Sequence, residues 1–153
     1  MDKNQQNQIR RLQDNLSSIR KIAGWTAEQL GEKIGVTKQT ISNLENNKSP
    51  MNLTQYIAIR SVIDYEIQDN PENTVLPEVV TILLDKDDID ENKYDDVKKA
   101  VSVAAVSAAG GIGGATLATI LTGLISPLGI VLPLASGIAG AGAAKWLSKL
   151  LKK

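Results

Sequence analysis

Residues 26–45 read TAEQLGEKIGVTKQTISNLE, and their spacing decides the fold. Thr26 carries the side chain of a helix N-cap, and Gln29 three residues later completes a capping-box spacing. Leu30 and Ile34 form the inward side of the short helix that follows. Gly35 ends it, because glycine adopts the left-handed backbone of a helix terminus at the lowest cost. Val36 packs into the turn. Thr37 caps a further helix that runs to about Asn46, with Ile41 and Leu44 on its buried side.

Upstream, Ile9, Leu12, Leu16, Ile19 and Ile22 recur in steps of three and four and describe one helical stripe, closed by Gly24. Downstream, Asn46, Asn47 and Ser49-Pro50 break the chain. A fourth helix follows, with Leu53, Ile57, Val62 and Ile63 available for burial. Asn70-Pro71 marks the next break. Residues 75–84 are apolar; Pro77 fits the first turn of a helix although Val79, Val80 and Ile82 are β-branched, and a short helix is predicted. Residues 85–96 read as a charged linker.

Two short helices joined by a tight turn, the second presenting small polar side chains, have the shape of an element that enters the major groove of DNA. Leu30, Gly31, Ile34, Gly35-Val36-Thr37, Thr40-Ile41-Ser42 and Leu44-Glu45-Asn46 resemble the Cro/C1-type (XRE) helix-turn-helix family over about residues 9–64. The resemblance implies base reading by Lys38, Gln39 and Asn43 and phosphate contacts from Thr37, Thr40 and Lys48. The amides of Gln39 and Asn43 suit adenine N6/N7, and Lys38 can donate to guanine. It also implies a structural ion pair between Arg20 and Glu45. Two positions depart from the family pattern. Ala27 stands where a phosphate-contacting Gln is usual, and Asn47 stands where Gly is common.

Composition narrows the function. The chain has no Cys and no His, which removes disulfides, thiolate metal sites and the usual near-neutral acid–base group. No metal, no cofactor and no enzymatic chemistry are expected. Charge is segregated behind a net of zero. Residues 1–60 hold nine Lys/Arg against five Asp/Glu, residues 61–99 four against twelve, and residues 100–153 four Lys and no acid. A basic front suits a polyanion. Residues 1–24 lack the apolar centre of a signal peptide, so the N-terminal part is expected in the cytoplasm.

Residues 100–144 carry no charge and contain nine Gly and twelve Ala. Ser126-Pro127 divides them into apolar segments of about 101–125 and 128–150, each as long as a bilayer span. Gly110, Gly114 and Ala118 form one line of small residues at four-residue steps, and Ser136, Gly140 and Ala144 form another, as in close-packed membrane helices. Lys residues flank both ends, and Trp146 sits where an interfacial aromatic would. A membrane hairpin with both ends in the cytoplasm is expected, a soluble oligomerising hairpin being the other reading. Residues 143–153, AAKWLSKLLKK, also form a short basic amphipathic helix of the kind that binds anionic lipid.

Other signals fail on spacing. A calcium loop starting at Asp85 would put Ile89 at a ligand position and Asp90 where glycine is required. Residues 110–114, GGIGG, lack both a preceding strand and a following Lys-Ser/Thr.

The sequence therefore predicts an all-α chain: a five-helix-type helix-turn-helix domain (1–69), an acidic linker with a short apolar helix (70–99) and a Gly/Ala-rich helical hairpin (100–153). It points to a sequence-specific DNA-binding regulator, homodimeric or of higher order, on double-stranded DNA and anchored to membrane lipid at the inner face of the cell membrane. The reading from another class is a holin- or bacteriocin-like membrane-active protein, or an oligomerising one, whose helix-turn-helix serves regulation or assembly.

Overall fold

A computed structural model describes residues 3–86, 89–130 and 145–151. All secondary structure among the described residues is helical. The elements are α1 (Lys3–Ala23), α2 (Ala27–Ile34), α3 (Lys38–Glu45), α4 (Leu53–Asp69), α5 (Val75–Val80, continued by a π-helical turn Thr81–Asp85), α6 (Glu91–Ala109), α7 (Gly114–Ile125, continued by a 3-10 turn Ser126–Leu128) and α8 (Lys145–Leu151). The helices predicted around residues 26–45, the stripe upstream and the short apolar helix at 75–84 are all present.

α1 is the spine. Its Ile9, Leu12, Leu16, Ile19 and Ile22 are buried, as a 3.6-residue period requires of a helix with one dry face. α3, α4, α5 and α6 all pack against it. α4 differs from expectation in the register of its buried face. Tyr56, Ile59, Arg60, Ile63 and Ile67 point inward, whereas Leu53, Ile57 and Val62 are only partly covered. Tyr and Arg have apolar bodies with polar tips, so both can line a core when the tip finds a partner. Arg60 does so through a bidentate pair with Asp85, at 3.0 and 3.1 Å.

The segment expected to be a charged linker is used structurally. Asp90 accepts from the Lys93 backbone N–H and caps α6, which continues unbroken through residue 100. Asn15 on α1 donates to the Tyr94 hydroxyl at 2.7 Å, and the Arg11 guanidinium lies over the Tyr94 ring at 5.2 Å. Val97, Val101 and Ala104 are fully buried beneath these contacts.

The expected membrane span at residues 101–125 requires correction. Among the described residues no helix is long and apolar enough to cross a membrane. Gly110 closes α6, Gly111 takes a left-handed φ of 91°, and Gly113 opens α7. Gly110 and Gly114 therefore sit on either side of a turn, and the line they were to form with Ala118 does not exist as a single helical ridge. Leu117, Leu121 and Ile125 of α7 are buried in protein. Trp146 is likewise no interfacial aromatic: it is 6% exposed and packs on α4. The second line of small residues, with Gly140 and Ala144, lies outside the described residues.

Candidate nucleic-acid interface

The geometry of α2 and α3 follows from three backbone devices. Thr26 and Gln29 form a reciprocal capping box at 2.9 and 3.0 Å. Gly35 closes α2 at φ 78°, and the Val36 N–H donates to the Gly31 carbonyl at 2.9 Å. Gly31 lets the turn fold back on the helix, since a Cβ there would meet the Val36 carbonyl oxygen at 2.6 Å. Ile41, at 0% exposure, and Leu44 anchor α3 from below. Ile34 and Val36 are half-buried partners of the same contact.

With Ile41 and Leu44 facing in, the first turn of α3 faces out. Thr37, Lys38 and Gln39 are exposed, and Thr40 and Asn43 are half-buried. The Thr37 hydroxyl oxygen accepts from the Thr40 N–H at 3.1 Å and lies 3.0 Å from the Thr40 hydroxyl. These two are tied to each other first, and their outer faces are what remains for a phosphate. Gln39 Nε2 donates to Asn43 Oδ1 at 2.9 Å. That bond consumes one donor and one acceptor. It leaves the Gln39 carbonyl oxygen and the Asn43 amide N–H groups on one ridge. An acceptor beside a donor is the complement of the adenine N6/N7 edge in the major groove. Lys48 is exposed on the loop beyond α3, and Asn47, standing where Gly is common, takes a left-handed φ of 56°.

Two interactions hold the back of this ridge. Arg20 Nε and Nη2 reach both Glu45 oxygens, at 2.6 and 3.0 Å, and Nη1 donates to the Trp25 carbonyl at 2.8 Å. Both side chains of the pair are largely buried. The other interaction comes from Gln13, which sequence reading missed. Its Nε2 donates to the carbonyls of Leu44 (3.0 Å) and Ser49 (2.8 Å), and its Oε1 accepts from the Met51 N–H (2.9 Å). One amide thereby fixes the exit of α3 and the path of the Lys48 loop. A glutamine beside an apolar stripe looks like any solvated one, so nothing in the one-dimensional pattern marked it.

Residues 16–70 match the helix-turn-helix family model. This segment is a helix-turn-helix domain. Within the chain, 48 residues are 40% identical to Antitoxin HipB of Escherichia coli strain K12 and, equally, to Antitoxin HipB of Escherichia coli O6:H1 strain CFT073. That stretch covers 31% of this chain and 54% and 51% of those two proteins. The chain thus spans about half the length of the curated relatives it matches. No solved structure matches it. The match to the family model begins within α1 and ends at Asn70, leaving the first half of α1 and all of α5–α8 outside it.

Proposed function

We propose that the chain is a sequence-specific DNA-binding transcriptional regulator that acts as a homodimer, with α3 as its reading helix. The observation that carries this reading is the Gln39–Asn43 ridge. Two amides are held in mutual hydrogen bond on the outward face of a helix whose other face is fully buried. Lys38 supplies a donor for guanine, while Thr37, Thr40 and Lys48 contact the backbone. Backbone contacts set register and affinity, and the ridge sets sequence preference. The mechanism is occlusion or recruitment at a short operator, without covalent chemistry. A dimer places two such ridges about 34 Å apart, one helical turn of DNA.

The experiment is selection of an operator from random duplexes, followed by Gln39→Ala and Asn43→Ala. Each should relax preference at an adenine-bearing position by roughly 1–3 kcal/mol and leave helicity unchanged. Lys48→Ala should weaken all sequences alike and lower the salt dependence of binding. Unaltered specificity in both amide variants refutes the assignment.

Membrane tethering has no support among the described residues, where residues 101–125 pack against protein as the end of α6 and as α7. The relatives' name favours one second reading, an antitoxin-type role in which the chain binds and neutralises a partner protein. In that role, with α5–α8 supplying the contact, neutralisation would survive loss of the amide ridge, which separates the two readings.

A further inference from the structure

Arg10 and Gln13 lie on α1 ahead of the segment that matches the helix-turn-helix family. They are three residues apart, so they share one side of the helix, with Cβ atoms about 5–6 Å from each other. Gln13 turns that side toward the exit of α3, through its bonds to the Leu44 and Ser49 carbonyls and the Met51 N–H. The Lys48 N–H donates to the Asn43 carbonyl at 2.8 Å. The root of Lys48 is thus pinned on both flanks, to Asn43 of the amide ridge and to α1, while its side chain is exposed. The four arginines of the chain divide into two kinds. Arg11 is held by the Lys86 carbonyl and the Tyr94 ring, Arg20 by Glu45 and the Trp25 carbonyl, and Arg60 by Asp85 and the Trp146 ring. Arg10 is exposed, and among the described residues it hydrogen-bonds to the Asn7 side chain alone, at 3.4 Å. It lines an open cleft of about 640 Å³ with Lys3, Asn4, Gln6, Asn7 and Glu91. Glu91, the one acid there, forms no ion pair with it among the described residues.

We infer that Arg10 and Lys48 form a clamp on the phosphates of duplex DNA beside the reading helix, with Gln13 as its positioning residue; the inference rests on the DNA-binding reading above and adds to it a contact from outside the family segment. An exposed guanidinium without a carboxylate partner is suited to phosphodiester oxygens, which it meets with two parallel N–H groups. Arg10 sits one turn from the residue that holds the Lys48 loop, so both cations border the same edge of the domain. The other edge is weak in such contacts. Ala27 stands where a phosphate-contacting Gln is usual, and the exposed Glu28 beside it adds a negative charge. The edge at the exit of α3 carries two cations, neither of them paired to an acid among the described residues. Phosphates gripped there fix the register in which Gln39 and Asn43 meet the bases. Gln13 itself touches no DNA in this arrangement. It acts through the root of Lys48, because without its amide the Leu44 and Ser49 carbonyls and the Met51 N–H lose the group that holds them together.

The test measures binding of the full chain to its selected operator and to an unrelated duplex across a salt series. Arg10→Ala should lower the slope of log affinity against log salt by about 0.9 per bound copy, the value of one phosphate contact. It should weaken both duplexes by the same factor and leave the ratio of their affinities unchanged. Arg10→Lys keeps the charge and should keep the slope. Lys48→Ala should lower the slope by a like amount. Gln13→Ala should reproduce the Lys48→Ala loss, and adding Lys48→Ala to it should change the slope little further. A Gln13 that served only the fold would lower the unfolding midpoint and leave the slope as in wild type. Arg10 is exposed, so its variants decide the matter if Gln13→Ala does not fold. A wild-type slope in Arg10→Ala, or an altered affinity ratio, overturns the clamp. The proposed function fails separately. Equal wild-type affinity for the two duplexes, with a slope that depends on Arg10, counts against sequence reading and leaves the clamp standing. Operator preference with a slope indifferent to Arg10 counts against the clamp alone.

Discussion

Two Gly→Ala substitutions, chemically identical and both inside helices, should move stability in opposite directions. Gly31 lies within α2 and Gly123 within α7. In a helix interior alanine is favoured over glycine by about 1 kcal/mol, because glycine loses more backbone freedom on folding. At Gly123 an added Cβ meets nothing within 4 Å, so Gly123→Ala should realise about 0.5–1 kcal/mol of stabilisation. At Gly31 the Cβ would lie 2.6 Å from the Val36 carbonyl oxygen, with the Thr37 carbonyl carbon and oxygen at 3.2 and 3.3 Å. All three are backbone atoms and cannot rotate away. The Val36 N–H to Gly31 carbonyl bond spans the same turn at 2.9 Å, so opening the turn stretches it. Overpacking of this kind costs about 1–3 kcal/mol and can cost more. After the propensity gain, Gly31→Ala should be destabilised by about 1–2 kcal/mol. Urea unfolding reads this as a midpoint lowered by roughly 0.5–1 M at unchanged slope, with Gly123→Ala moving the other way. Operator affinity should fall for Gly31→Ala beyond what its stability explains, because the displaced turn carries the Thr37 cap. A Gly31→Ala chain unfolding at or above the wild-type midpoint would refute the close-approach argument.

Other outcomes follow from the same contacts. Arg20→Ala or Glu45→Ala strands one charge of a mostly buried bidentate pair, so each should cost about 3 kcal/mol by urea unfolding, whereas a loss below about 1 kcal/mol would class the pair with exposed bridges. Thr37→Ala removes the α3 cap and should cost about 1 kcal/mol while lowering affinity for all DNA sequences; an unchanged midpoint contradicts the cap. Burial holds the Glu78 carboxyl above its usual value of 4.5, and its Oε2 has no hydrogen-bond partner. The folded state therefore keeps a proton that the unfolded chain releases first, and the associated stability is present below about pH 4.5 and lost as pH rises through the folded value. Glu78→Gln should accordingly raise the midpoint over wild type at pH 7 and lose that advantage at pH 4; an equal gain at both would show that ionisation is not the cause.

The helix-turn-helix was legible because its determinants are local. Thr26 and Gln29, Gly35, Thr37 and the Leu30–Ile41–Leu44 set each act within one or two turns, and their spacing is visible in one dimension. The Arg20–Glu45 pair was legible only through family resemblance, since nothing local joins positions 25 apart. The contacts made by Gln13, Asn15 and Asn73 were not legible at all. Each joins a side chain to a backbone or hydroxyl group far along the chain, such as Asn73 Nδ2 to the Ile22 carbonyl at 2.9 Å, and an amide gives no periodic sign of a distant partner. Arg60 was hidden for a related reason. Its burial depends on Asp85 and Trp146, which are brought to it only by the fold.

The uncharged tract shows what hydropathy measures. Absence of charge says that a surface gains by leaving water; it does not say whether protein or lipid covers it. The discriminating pattern crosses the boundary at residue 100. Val97, Ala100, Val101, Ala104 and Ala105 recur in a helical period that begins inside the charged segment, and all five are buried. Ser102, on the same helix, is exposed. A helix that faces lipid on every side has no need of such a stripe, whereas one packed on α1 requires it. Residues 91–99 of the acidic segment and the first uncharged residues are therefore one amphipathic helix, and the compositional break at residue 100 marks a change in the exposed face of α6 while its buried face runs straight through.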